Sequence, residues 1–208
     1  MILGLTGSIG MGKSTAGTFL RRMGVPVHDA DEAVHRLLGR GGAALAAVEA
    51  AFPGVVRDGA VDRKALGARV FGDRAALRRL EAILHPMVRC DAAAFLRRHA
   101  RRRSPLAVLD VPLLFETGTD ARCDAVIVVS APRFVQEPRV LTRPGMSPER
   151  LRAVRAAQAP DADKRRRADF VVHTGLSKRE TLRRLRAIVT LLRTRPRRRR
   201  VSFRSRDA

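Results

Sequence analysis

The run Gly7-Ser8-Ile9-Gly10-Met11-Gly12-Lys13-Ser14 meets the pattern G-x-x-x-x-G-K-[ST] at every required position, with Thr15 behind it. The chemistry open to such a run is holding phosphate. Backbone N–H groups must point inward from a tight curve, and side chains on every residue would block that approach, hence the glycines. A helix opening near Gly12 adds N–H groups without intrahelical acceptors and the positive end of its dipole. Lys13 can then reach the transferred phosphate as a point charge, and Ser14 is suited to ligate Mg²⁺.

Other residues could do chemistry, each with a plainer alternative. Asp29-Ala30-Asp31 closes a short apolar run, where open α/β sheets place their ligand crevice. On one extended segment two acids spaced i, i+2 fall on the same side; they are expected to take different roles, and either can instead cap the next helix. Asp110 ends an apolar run and resembles the second acid by which phosphate-loop enzymes hold the metal shell. Glu116 can face a ligand or cap a short helix. His85, before Pro86, is as readily a buried, hydrogen-bonded histidine as a ligand contact, and the proline should bend or restart its helix. Arg139 and Arg143 share a side if the segment is helical; they can converge on phosphate, or form an ordinary solvated face.

The elements that must position these residues are legible as patterns. Residues 2–6, 25–28, 106–110, 125–130 and 170–173 read as short buried strands, the fourth the clearest. Helices are expected over 13–22, 32–38, 43–52, most of 62–101, 148–159, 161–168 and 177–192. In the last, Ser177 and Glu180 form a capping box, and Leu182, Leu185, Ile188, Val189 and Leu192 form a core stripe. Helices strung between parallel-type strands predict an inserted helical region over the crevice.

At 208 residues, 45 % of them hydrophobic, the chain can bury one substantial core. No apolar run approaches membrane-spanning length, and the apolar start lacks the pattern of a secretory signal. Cys90 and Cys123 make neither a disulfide scaffold nor a CxxC site, and are expected to be reduced in a cytoplasmic protein. No set of Cys, His and acids has metal-site spacing, so the expected metal is Mg²⁺ arriving with a nucleotide. The net charge is +22; residues 1–192 alone carry 34 basic against 19 acidic residues, and eight arginines follow. That implies attraction to polyanions. A nucleic-acid-binding protein using the loop as an ATP switch is therefore a rival, but no recognition motif is present, nor an aromatic platform for single strands. A kinase acting on another nucleoside or nucleotide is the rival within the enzymes.

In order along the chain, Gly4 to Thr15, Asp29-Ala30-Asp31, Leu84-His85-Pro86, Asp110-Val111-Pro112-Leu113-Leu114-Phe115-Glu116, Gln136 with Arg139 and Arg143, Gln158, and Ala168-Asp169 together resemble the dephospho-CoA kinase family. The phosphate loop is generic; the acidic pair, the His-Pro step and the segment 111–116 in this order are discriminating. The resemblance implies an α/β, three-layer P-loop NTPase fold with a parallel sheet. Its core would comprise about 1–34, 104–130 and 150–192, its helical substrate-binding region 35–103, its lid 131–149, and a basic tail would follow from 193. It implies transfer of phosphate from ATP to the ribose 3′-hydroxyl of dephospho-CoA, giving CoA and ADP. Asp31 would activate or orient that hydroxyl, with Lys13 and Arg139 stabilising the transferring group. Residues Gly7 to Thr15, Arg139 and Gly175 would bind ATP, and Ser14 the metal. Thr6, Asp29, Asp31, His85, Pro112, Leu113, Glu116 and Arg143 would line the acceptor site. The expected partners are ATP and dephospho-CoA, with no membrane and no specific nucleic acid; the tail would bind polyanions weakly. The expected assembly is a monomer or small homo-oligomer. The chain departs from the family pattern at Ser8, at Met11, and at His173-Thr174, where Asp-Asn is common; the adenine-side contacts there stay open.

Overall fold

The computed structural model describes residues 1–194. Seven strands and nine α-helices occur among them, in the order β1 (Ile2–Thr6), α1 (Lys13–Arg22), β2 (Val27–Asp29), α2 (Ala30–Leu38), α3 (Leu45–Ala51), β3 (Val56–Arg57), β4 (Ala60–Val61), α4 (Arg63–Val70) and α5 (Arg74–Arg101). There follow β5 (Ala107–Asp110), β6 (Ala125–Ser130), α6 (Arg133–Leu141), α7 (Pro148–Ala156), α8 (Asp161–Arg167), β7 (Phe170–His173) and α9 (Lys178–Thr194). They form two compact units: Met1–Val27 together with the chain from Arg103 onward, and His28–Arg102.

The larger sheet has the order β2-β5-β1-β6-β7, and β1, β5, β6 and β7 lie in the first unit. β1 pairs in parallel with β5, Leu3 opposite Val108, and with β6, Leu3 opposite Ala125. β6 pairs in parallel with β7. Strands covered on both faces must be apolar without interruption; Ala125–Ser130 is buried at all six positions and Ala107–Asp110 at all four. Leu20 of α1 and Leu185, Ile188 and Val189 of α9 are buried in the same core as Leu3, Leu5, Ile127 and Val129. Each fully buried leucine contributes about 1.5–3 kcal/mol relative to exposure. With β5 on one side of β1 and β6 on the other, the strand order reverses at β1. The crevice at such a switch point is where this kind of sheet binds its ligands, and the glycine loop leaves β1 there.

The second unit is helical, with a core of Leu38, Val48, Phe52, Val55, Leu66 and Leu84 among others. It carries a small antiparallel hairpin, Val56 opposite Val61, turning at Asp58-Gly59. The sequence marks that turn, but the two-residue strands are too short to show a period. Two expectations need correction. α2 begins at Ala30 rather than after Asp31, because Asp29 caps it, so the acids are not on one extended segment. α5 runs unbroken from 74 to 101 with Pro86 inside it. Pro86 removes one hydrogen bond, to the Ala82 carbonyl four residues back. Ala82, His85 and Pro86 are all exposed, so that carbonyl lies on the solvent side. Its loss is therefore cheap, and burial of Leu84 and Ala92 in the same helix offsets it.

Among the described residues no helix is long and apolar enough to cross a membrane, and neither cysteine is in a disulfide. The final helix extends to Thr194, two residues past the apolar stripe. The basic segment expected beyond it lies outside the described residues from 195 on.

Candidate active site

The glycine loop joins β1 to α1 as its spacing requires. Gly12 is the N-cap of α1 at φ 84, ψ 20, in the left-handed region, which a side chain would strain. It offers α1 no side-chain cap, so the first-turn amides of Ser14 and Thr15 have no intrahelical acceptor, and an anion is the natural cap. Met11 N–H donates to Ser8 O at 3.1 Å and Ala16 N–H to Gly12 O at 3.1 Å, closing the curve on both sides. Gly7, Ser8, Gly10 and Met11 are buried, Ile9, Gly12, Lys13 and Thr15 half-buried, and Ser14 is exposed.

Lys13 Nζ donates to Asp110 Oδ1 at 2.6 Å. Asp110 is fully buried at the end of β5, the strand beside β1. The acid and the loop lysine thus form one charged pair at the C-terminal edge of the sheet. A Cβ on Gly17, one turn into α1, would lie 3.1 Å from Asp110 Oδ2, so helix and carboxylate approach closely. The serine hydroxyl that opens α1 and this carboxylate are hard oxygen donors. They suit a small divalent cation that keeps most of its water shell and needs only one or two protein ligands.

Thr6 Oγ1 donates to Pro112 O at 3.0 Å, tying the ends of β1 and β5 together. Just beyond, Leu113 is half-buried, and Glu116 accepts from Lys164 Nζ at 2.9 Å and from Ala159 N–H at 2.8 Å. Lys164 is fully buried on α8 and also donates to Pro112 O at 3.4 Å. Burial alone would raise the Glu116 carboxyl, but the Ala159 amide and the Lys164 ammonium outweigh it and hold it below its ordinary value. A depressed carboxyl contributes stability in full above its unfolded value of about 4.3 and loses it as pH falls through the folded value. Glu116→Gln should therefore melt below the wild type at pH 7. The expected deficit is about 2–3 kcal/mol, less than the ~3–5 of a fully buried pair because one-fifth of the Glu116 side chain is exposed. That corresponds to about 4–12 °C, and the gap should narrow below about pH 4. A gap constant from pH 7 to pH 3 would refute the assignment.

Arg139, on α6, donates from Nη2 to Thr174 O at 2.8 Å and from Nη1 to Thr174 Oγ1 at 3.4 Å. Thr174 Oγ1 in turn donates to Met11 O at 2.7 Å, so this hydroxyl after β7 braces the glycine loop. Gly175 lies against Pro132. Arg143 does not share a helix face with Arg139: α6 ends at Leu141 with Thr142 as C-cap, and Arg143 is exposed beyond it. The i, i+4 spacing holds only while the helix lasts, and this helix closes between the two arginines.

In the helical unit, the Asp29 carboxylate accepts from Asp31 N–H at 3.0 Å and Glu32 N–H at 3.1 Å, capping α2. Asp31 is exposed in the first turn. His85 is exposed on α5, so the buried-histidine alternative does not hold. The buried histidine is His28, whose Nε2 lies 2.9 Å from Asp91 Oδ2.

Spacing singles out neither Lys164 nor Arg155, and Thr174 enters the sequence reading only as a departure. One signal in the sequence does point to Lys164. It is one of only four lysines among the 42 basic residues; its pairing with Glu116, like that of Lys13 with Asp110, is seen only in the structure.

A glycine loop leaving the central strand of a parallel sheet, with a buried acid on the adjacent strand, defines a P-loop kinase fold. The dephospho-CoA kinase family model matches residues 1–179. A dephospho-CoA kinase of Paramagnetospirillum magneticum is 67 % identical over 192 residues, 92 % of this chain and 91 % of that protein. One of Rhodospirillum rubrum is 61 % identical over 196 residues, 93 % and 92 % of the two chains. The crystal structure of a Thermus thermophilus protein superposes with TM-score 0.78 at 38 % identity, covering 92 % of this chain and 97 % of that one. This chain belongs to the dephospho-CoA kinase family.

Proposed function

We propose that this protein transfers the γ-phosphoryl group of ATP to the ribose 3′-hydroxyl of dephospho-CoA, releasing CoA and ADP in the cytoplasm. The observation that carries the acceptor is the 67 % identity, over nine-tenths of both chains, with a protein named for that substrate. The loop geometry supports the phosphoryl half of the reading. The helix amides past Gly12 and the Lys13 ammonium are the groups that would meet the negative oxygens of the transferring phosphate. Mg²⁺, held by Ser14 and the shell of Asp110, would neutralise charge on the phosphate oxygens when bound.

In the reaction the acceptor oxygen forms a bond to phosphorus as the bond to the ADP oxygen breaks, and the hydroxyl proton must leave. Asp31 is the assigned acceptor of that proton. Asp29 supports this division of labour, because its carboxylate is committed to two backbone amides of α2. Arg139 is assigned to the charge that develops at phosphorus, from an anchor on Thr174. Thr6, Pro112 and Glu116, near the ends of β1 and β5, are assigned to binding dephospho-CoA, and so is His85 of α5.

The test is ADP formation by the full chain with dephospho-CoA, adenosine, AMP and shikimate offered separately. Dephospho-CoA should be strongly preferred by kcat/KM. Preference for any of the other three would overturn the acceptor, and no turnover with any would overturn the reading as a kinase.

A further inference from the structure

We propose that Gln136 and Gln158 are positioning residues that set the orientation of the Ile9 peptide units at the crest of the glycine loop, with Arg155 fixing which way Gln136 faces. The proposal rests on the kinase reading and adds to it two amide side chains with opposite, non-interchangeable roles. Gln136 Nε2 donates to the Ile9 carbonyl at 2.6 Å. Gln158 Oε1 accepts from the Ile9 N–H at 3.1 Å. One residue of the loop is therefore gripped at both its polar backbone groups, by side chains well over a hundred positions away.

The orientation of each amide is dictated by its partners. A carbonyl only accepts and a backbone N–H only donates, so Gln136 must present nitrogen to Ile9 and Gln158 must present oxygen. Gln136 Oε1 then faces Arg155, whose Nη2 donates to it, and a guanidinium has donors only. Arg155 Nη1 is held by Glu137 Oε1 at 2.9 Å. Gln136 is 3 % exposed, so a wrongly turned amide would leave buried polar atoms without partners.

The grip on Ile9 acts directly on Gly10, the next residue of the curve. Gly10 turns at φ 75, and a Cβ there would lie 2.5 Å from Val140 Cγ2 and 3.1 Å from Gln136 O, so α6 is the wall the loop leans on. The Ile9 N–H is spent on Gln158, and its carbonyl is drawn back toward Gln136. The curve is thereby set before Gly10 and Gly12 aim the later amides, and catalysis by preset dipoles depends on that aim.

The asymmetry gives the test. Gln136→Glu keeps an acceptor for Arg155 but sets a carboxylate oxygen against the Ile9 carbonyl. Its kcat should fall about tenfold to a hundredfold, the scale of a small misplacement of reacting groups. Its KM for dephospho-CoA should stay within about twofold, as expected for an interaction expressed in the transition state. Gln158→Leu should lose about tenfold, and Gln158→Glu, which still accepts from the Ile9 N–H, should recover most of that loss. Thermal transitions are followed for all three, and ATP affinity is measured by calorimetry. Equal losses for the two glutamate variants, or losses that follow the melting temperature alone, would overturn the proposal. A wild type inert toward dephospho-CoA would instead overturn the acceptor assignment, and the same asymmetry would then be read in ATP affinity.

Discussion

Asp31→Asn is expected to lower kcat by about 10²–10⁴, the usual worth of a positioned general base, while ATP affinity and melting temperature stay close to wild type. The stability half of this expectation comes from α2. Its N-terminal amides are satisfied by Asp29, and Asp31 is exposed, so neutralising Asp31 removes neither the cap nor a buried charge. The matching control is Asp29→Ala, which should cost about 1 kcal/mol of stability through loss of the cap. Steady-state turnover and calorimetric ATP binding on the two variants separate the roles. Wild-type turnover in Asp31→Asn would remove Asp31 from the chemistry.

Lys13→Met should be damaging in two independent ways. Turnover should fall by at least about 10²–10³ as a charge at the transferring phosphate is lost. Stability should fall by about 3–5 kcal/mol, because the Asp110 carboxylate is fully buried and loses the ammonium 2.6 Å away. Adding Asp110→Asn should restore a large part of the stability, since the buried charge is then gone, without restoring turnover. Melting curves and turnover on the single and double variants make the comparison. If the double variant regained activity, Lys13 would be acting only as the counter-ion of Asp110.

The pairing of Lys13 with Asp110 illustrates how sequence and structure divide the information. The loop and the apolar run ending in Asp110 are each legible, because each is a local pattern of spacing or period. Their union is not, since 97 positions separate them and only the parallel register of β1 with β5 brings them together. The same holds for Thr174, which reads as a departure from a pattern and emerges as the hydroxyl bracing Met11. Lys164 reads as one cation in a basic helix and is fully buried against Glu116. The mismatches are local as well. The start of α2 and the continuity of α5 through Pro86 turn on a cap and on solvent exposure, neither of which a period reveals. Arg143 groups with Arg139 only by a helical spacing that outlasts the helix.

By itself the sequence determined the class of chemistry, the strands that carry it and the family, because glycine spacing, buried-strand composition and ordered motifs are properties of consecutive residues. Only the tertiary structure decided which distant side chains hold the loop in shape. Hydrogen-bond polarity and burial depend on partners, and the side chains that meet the Ile9 peptide groups, the Lys13 ammonium and the Met11 carbonyl, namely Gln158, Gln136, Asp110 and Thr174, come from the far half of the chain.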